Sequence, residues 1–297
     1  MNDVDRSGPV VVVGSANVDL CVLTRSRPAW GETVTADRSF TAVGGKGVNQ
    51  AVAAARAGAS TSFVGAVGRD GRGDRAEAEL VGAGVDTAAL RRLDEPTGTA
   101  HVMLDRAGRN AICVVPGANG SVLGLTASER ELVRRARVVL CQFELPEPVV
   151  AETLAHARRA GVTTVLTPVP FRPTPPALWD LVDVLAVNES EAATLPPTVR
   201  ERVAVVVTTL GERGARWDGR DGTRIEVPAL AVEVLDTTGA GDCFAGALGA
   251  ALAAGRTPVE AARFAAAAAS LSVRHQGAAR SMPLRAEIDE ALAAAPE

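Results

Sequence analysis

The chain has 297 residues, of which 47% are apolar and 22% charged, and a formal net charge of −4. That length suits one large globular domain or two small ones. Basic and acidic residues are interspersed, with no basic block, which argues against nucleic acid or an anionic membrane as partner. The four cysteines (Cys21, Cys113, Cys141, Cys243) contain no C-x-x-C pair and suggest reduced thiols in a cytoplasmic protein. His101, His156 and His275 are too scattered for a zinc site.

In chain order, "MNDVDRSGP" is polar and acidic, unlike a secretory leader. "PVVVVGSANVDL" begins with a β-branched run, which predicts a strand buried on both faces of a parallel sheet. Residues 20–42 and 97–115 alternate in polarity and predict antiparallel strands with one wet face. Together they suggest a small β lid from about 17–43 and 97–116. "GVNQAVAAARAGA" predicts a helix stopped by glycine, and "TSFVGAVG" a short strand. Four more strands are predicted in "ARVVLCQFEL", "GVTTVLTPVP", "VDVLAVNESE" and "RVAVVVTTLG", with helices at 127–137 and 147–160. "PVPFRPTPP" is a loop, and the Ala-rich stretch 261–273 a buried helix too charged at its flanks to span a membrane. Strands alternating with helices predict an α/β fold, a single domain over 1–297 with helices on both faces of its sheet.

Ligands of open α/β sheets sit at the carboxyl ends of the strands. Polar residues collect there: Asn17 and Asp19 after the first strand; Gly44, Gly45, Lys46 and Asn49 at a helix start; Glu144, then Asn188 with Glu191, then Thr209 with Gly211 after later strands. The stretch "LDTTGAGDCFAGAL" ends the series. Gly239 and Gly241 let the backbone approach a bulky anion, and the unpaired N–H groups of the helix start attract one. Asp242 lies where negative charge is stabilised and can accept a proton from a hydroxyl, as phosphoryl transfer to an alcohol requires. It also fits a plain first-turn helix acid. Asn188 and Glu191 form the N-x-x-E pattern of a capping box, or place Glu191 near a Mg²⁺ through water. Asn17 and Asp19 also suit a turn, Glu144 a loop acid, and Cys243 a packed thiol.

The set and its order are similar to the ribokinase family of carbohydrate kinases, also called the PfkB family, over nearly the whole chain. The resemblance rests on "GGKGVNQAVAAARAG" (44–58) and "DTTGAGDCFAGAL" (236–248), with "GSANVDL", "WGETVT", "PGANGSV", "QFELP", "NESEA" and "TLGERG" in family order. It implies a three-layer α/β/α sandwich with a mostly parallel central sheet and a β lid. It also implies ATP-dependent phosphorylation of a sugar's primary hydroxyl, with the ribose branch the most similar. Asp242 would then be the general base, and Gly239, Ala240 and Gly241 the anion-hole amides. Asn17, Asp19, Gly45, Lys46, Asn49 and Glu144 would bind sugar hydroxyls. Asn188, Thr209, Gly211, Gly214 and Gly241 would contact ATP, and Glu191 would help hold Mg²⁺. Asp236, Thr238, Ser272, His275, Gly277 and Ser281 match a K⁺ site, and a homodimer through the lid is implied.

The absence of tyrosine and the 3% aromatic content disfavour a nucleoside substrate. Other sugars (deoxyribose, fructose or another polyol) and a non-catalytic sugar-binding regulator are the alternatives. Three departures from the family pattern stand out: Thr167 replaces an asparagine, Ala266 replaces a polar residue near the adenine, and 195–203 is short enough to trim or remove a peripheral helix.

Overall fold

The valines of β1 (Val10–Val13) point alternately to the two faces of the central sheet. Val10 and Val12 join one buried cluster, Val11 and Val13 the other, so the β-branched run is covered on both sides. The computed structural model describes residues 8–105 and 109–295. The polar start of the chain lies almost wholly outside the described residues, as do 106–108 within the expected lid range.

After β1 come β2 (Asn17–Thr24), β3 (Arg38–Gly44), α1 (Lys46–Arg56), β4 (Thr61–Gly68), α2 (Gly71–Gly82), β5 (Leu90–Leu93), β6 (Gly98–Asp105) and β7 (Asn110–Val115). The middle of the chain forms α3 (Ala127–Arg135), β8 (Val138–Gln142), α4 (Glu147–Arg159), β9 (Thr163–Thr167), α5 (Pro176–Trp179), β10 (Val184–Asn188), α6 (Glu189–Thr194), α7 (Pro197–Arg202) and β11 (Val205–Thr209). The last part forms β12 (Ala215–Gly219), β13 (Arg224–Val227), α8 (Ala240–Ala253), α9 (Pro258–Ser272) and α10 (Arg285–Ala294).

Nine strands make the central sheet in the order β13-β12-β11-β10-β9-β8-β1-β4-β5. Its pairs are parallel except β11–β12 and β12–β13. Apolar residues of α1, α2, α8, α9 and α10 cover one face, and those of α3, α4, α5 and α7 the other. The expected α/β/α sandwich is the observed one. Because the inner strands are parallel, β1, β8, β9, β10 and β11 all end at one edge. Gly14, Gln142, Thr167, Asn188 and Thr209 are gathered there.

The second sheet has four strands in the order β3-β2-β6-β7. Its outer pairs are antiparallel as expected, but β2 and β6 pair in parallel, with Asn17 opposite Gly98. Both strands start beside the central sheet and run away from it, which sets their common direction. Residues 195–203 keep a helix, α7, opened by Pro197 at its first turn, so the peripheral helix is not lost. Among the described residues no helix is long and apolar enough to cross a membrane.

One crossing positions the site. Helices α1 and α8 pack side by side, and Gly246 lies between them. A Cβ there would stand 2.4 Å from the Gln50 carbonyl oxygen and 2.6 Å from the Ala53 methyl, closer than real contacts allow. The missing side chain lets α1 approach α8 one helical turn beyond Asp242.

Candidate active site

Helix α8 starts from Gly239, whose φ of 78° is left-handed. A Cβ at Gly239 would also meet the Ala278 methyl at 2.8 Å, so glycine is required there twice over. The Ala240 N–H turns back to the Thr237 carbonyl (3.2 Å), so it is not the free anion-hole amide expected of it, and the Cys243 N–H donates to Gly239 O (2.8 Å). Between them, the N–H groups of Gly241 and Asp242 have no hydrogen-bond partner among the described residues. Nothing lies within 4 Å of where a Gly241 Cβ would be, so this helix start is open to an incoming anion.

The Asp242 carboxylate is held from α1 by both oxygens. Asn49 Nδ2 donates to Oδ2 (2.9 Å) and Gln50 Nε2 to Oδ1 (3.0 Å). Asp242 is only 6% exposed, and Asn49 equally so. Asn49 Oδ1 is buried without a partner, a free acceptor beside the carboxylate. Lys46, at the start of the same helix, is partly buried. Asp242 above all, with Glu144 and Glu191, raises its pKa against the opposing effect of burial, so the ammonium stays charged.

A second group of acids lies across the cleft. Glu144 accepts from Ser15 Oγ and from the Lys46 N–H (3.0 Å). Asn17 Oδ1 accepts from Asn119 Nδ2 (2.8 Å), and Asn119 Oδ1 in turn accepts from the Ala16 N–H (2.9 Å). The Asp19 carboxylate fills the space that a Gly44 Cβ would occupy, 2.3 Å away, and Gly45 takes a φ of 90° against the Asn17 N–H. Burial pushes the Asp19 pKa up to about 6, and the nearby charges of Glu144 and Asp242 add to it.

Asn188 and Glu191 do form the capping box: the Glu191 N–H donates to Asn188 Oδ1, and the Asn188 N–H to Glu191 Oε2, both at 2.9 Å. They also line a cavity of about 170 Å³ with Lys46, Thr167, Gly239 and Asp242. A cavity of about 550 Å³ shares Thr209, Gly241 and Phe244 with it, and is walled by Gly211, Gly214, Leu230, Ala266 and Val273. At Ala266 the wall is therefore apolar. Gly214 is fixed by geometry: its φ is 90°, and a Cβ would lie 2.0 Å from Val227 O.

Asp236 clamps a neighbouring loop, accepting from the N–H groups of Thr238 and Gly277, both at 2.9 Å. Burial raises its pKa, but these donors outweigh it and leave Asp236 below the ordinary carboxylate range. Ser272 O accepts from the His275 N–H (3.2 Å). His275 and Ser281 line a separate cavity of about 810 Å³ that shares no residue with the other two.

Ser15, Gln50, Asn119 and Gln142 belong to the site although sequence reasoning gave them no role. Three of them adjoin residues it did name: Ser15 stands in "GSAN", Gln50 follows Asn49, and Gln142 lies two residues before Glu144. Asn119 lies in "PGANGSV", far from them along the chain. Cys243 is a packed thiol, pushed up to about 12 chiefly by burial. Among the described residues no group of three or more His, Cys, Asp or Glu is arranged to hold a metal ion by itself.

The model of the pfkB family of carbohydrate kinases matches residues 8–285. A ribokinase of Bacillus subtilis (strain 168) is 39% identical over 291 residues, covering 95% of this chain and 99% of the relative. Among solved structures, Arabidopsis thaliana ribokinase complexed with ribose and ATP superposes with a TM-score of 0.87 at 36% identity, over 96% of this chain and 99% of that one. Thermotoga maritima ribokinase gives the same TM-score at 30% identity, over 96% and 99% of the two chains.

The raised pKa of Asp19 makes stability depend on pH. An Asp of the unfolded chain titrates near 3.8, and this one near 6 in the fold. Well below pH 4 the group is neutral in both states and nothing is lost. As the pH rises through about 6, the fold must ionise a carboxyl that burial disfavours, at a cost of up to about 3 kcal/mol. Asp19→Asn should therefore be more stable than the wild type by about 1–3 kcal/mol at pH 8, with the difference closing towards pH 4 in urea titrations. A difference that does not change with pH would refute this.

Proposed function

Because the chain belongs to the pfkB family of carbohydrate kinases, we propose that it transfers the γ-phosphate of ATP to the primary hydroxyl of D-ribose, giving ribose 5-phosphate. The observation that carries this reading is the doubly held Asp242 carboxylate beside the open N–H groups of Gly241 and Asp242. Asp242 takes the hydroxyl proton as the new bond from the sugar oxygen to the γ-phosphorus forms and the bond from that phosphorus to the β,γ-bridging oxygen breaks, releasing ADP. The helix start, shaped by Gly239, Ala240 and Gly241, receives the phosphoryl oxygens, and the Lys46 charge offsets the charge they bring.

Asn17, Asp19, Gly45, Asn49 and Glu144, with Lys46, bind the sugar's other hydroxyls. Asn49 Oδ1, buried without a donor, suits a hydroxyl as partner. The phosphate chain lies along Asn188 and Lys46, and the nucleotide body along Thr209, Gly211 and Gly214, in the larger cavity.

Mg²⁺ fits Glu191 only in part. One carboxylate, with an oxygen committed to its capping box, leaves most of the coordination to water and phosphate oxygens, as this ion tolerates. When bound, it supplies charge neutralisation at the phosphates. For K⁺ the donors are oxygens of two segments, Asp236 and Thr238 before α8 and Ser272, His275, Gly277 and Ser281 from the end of α9 onward, mostly backbone carbonyls around an ionised Asp236.

The lid presents Phe40, Ile112, Val114 and Val115 to solvent on its outer strands. Exposed apolar side chains on unpaired edges suit a second copy of the chain.

A panel of pentoses, hexoses and polyols with ATP and Mg²⁺, followed by ADP release, tests the reaction. Ribose is expected to give the highest kcat/KM; a better sugar would move the assignment within the family. Binding of ribose with no ADP formed would instead favour a regulator. In the same assay Asp242→Asn should lower kcat by about 10²–10⁴ with the fold intact, and wild-type turnover would remove it from the chemistry. Replacing K⁺ by tetramethylammonium should reduce the rate several-fold, and equal rates would dismiss the K⁺ site. Sedimentation should give a dimer that Ile112→Lys with Val114→Lys dissociates; a wild-type monomer at micromolar concentration would exclude the lid interface.

A further inference from the structure

The hold on Asp242 has a second layer that the reaction scheme does not use. Gln50 is completely buried, and its amide is fully engaged: Nε2 donates to Asp242 Oδ1 (3.0 Å) and Thr167 Oγ1 (3.3 Å), while Oε1 accepts from Gln142 Nε2 (2.7 Å). Gln142 ends β8, is also completely buried, and leaves its own Oε1 without any donor. That oxygen lies 2.2 Å from where a Cβ of Gly14 would be, so the chain has no side chain at Gly14 where the amide needs space.

A buried, unpaired oxygen is destabilising, and an apolar side chain of the same size would carry no such penalty. What the Gln142 amide does supply is a donor. A glutamine amide can turn over, exchanging its oxygen for its nitrogen. With Gln142 donating to Gln50 Oε1, the Gln50 nitrogen must face Asp242. If Gln50 turned over, its oxygen would confront the carboxylate, and its nitrogen would confront a Gln142 donor.

We propose that Gln142 is a positioning residue that sets the amide orientation of Gln50 and, through it, the direction of the Asp242 carboxylate. The Thr167 hydroxyl takes the second N–H of the Gln50 amide and closes the arrangement. This rests on the reading of Asp242 as the base. It assigns the buried end of β8 to the kinase reaction, although Gln142 lines neither of the cavities that hold the substrates.

The test is turnover of ribose and ATP by the full chain. Gln142→Met keeps the volume and removes the donor; kcat should fall about tenfold to a hundredfold, with KM for ribose changed less than about twofold because the sugar's own partners are untouched. In a Gln50→Met background the same substitution should change kcat less than about twofold, since its effect passes through Gln50. Losses that multiply, or a wild-type kcat for Gln142→Met, would overturn the proposal.

Gln142→Glu keeps the shape and gives a second measurement should the methionine variant not fold. Protonated, its hydroxyl can donate to Gln50 Oε1; ionised, it cannot. The ratio of its kcat to the wild-type value should therefore fall as the pH rises, and a flat ratio would count against the relay. Asp242→Asn run in parallel separates the two levels. If that variant turns over normally, the base assignment itself fails; if it is inactive while Gln142→Met is normal, only the relay fails.

Discussion

The site depends on how closely α1 can lie against α8. Asp242 is fixed by two amides from consecutive residues of α1, and consecutive helix positions diverge by about 100°. Both can reach one carboxylate only if the helices nearly touch, with Asn49 and Gln50 on either side of the line of contact. Gly246 makes that possible by removing the side chain that would meet the Gln50 carbonyl. The crossing is therefore a condition of the chemistry, and the small Ala-rich surfaces of both helices belong to the same requirement.

The charges within that geometry do not balance. Asp242, Glu144 and Glu191 act on a single ammonium, Lys46, and Asp19 faces the negative charges of Glu144 and Asp242 in the same partly buried cleft. Glu144 is stabilised by Ser15 and the Lys46 N–H, and Asp242 by its two amides. Asp19 has no such donors among the hydrogen bonds described, and it is the group whose pKa rises. A sugar hydroxyl donating to Asp19 would supply what the protein withholds, so the energy of the empty site favours a ligand rich in hydroxyls over an apolar one.

Much of this was legible in the sequence, for physical reasons. The valine run of β1 and the strands ending in Gln142, Thr167, Asn188 and Thr209 carry the continuous apolar pattern of buried parallel strands, so the site's edge of the sheet could be read from their ends. Asp242 and its glycines stood out because a helix start has its own chemistry. The short strands at or next to the sheet's edges, β5, β12 and β13, did not, since "LRRL", "ARWDG" and "RIEV" carry no long apolar run. The parallel pairing of β2 with β6 was also hidden, because alternation of polarity reports an exposed face and not the direction of the neighbour. Gln50 and Gln142 were missed for a different reason: a buried amide has no periodic signal, and its role appears only when its partners, 92 and 192 residues distant, are brought beside it.

The lid joins this arrangement at its base. Asn17, the first residue of β2, pairs with Gly44 on one side and Gly98 on the other, and Asp19 follows two residues later on the same strand. Asn49, Glu144 and Asp242 belong to the body. On the proposed reading, a sugar bound to both sets would tie the root of the lid to the central sheet, whereas ATP alone, placed along Thr209 and Gly211, would touch only the body. Closure driven by the sugar would exclude water from Asp242 when an acceptor hydroxyl is present to replace it, which limits transfer of the phosphoryl group to water. On that reading, the division of the sugar's partners between the lid and the body is itself a device for choosing the acceptor.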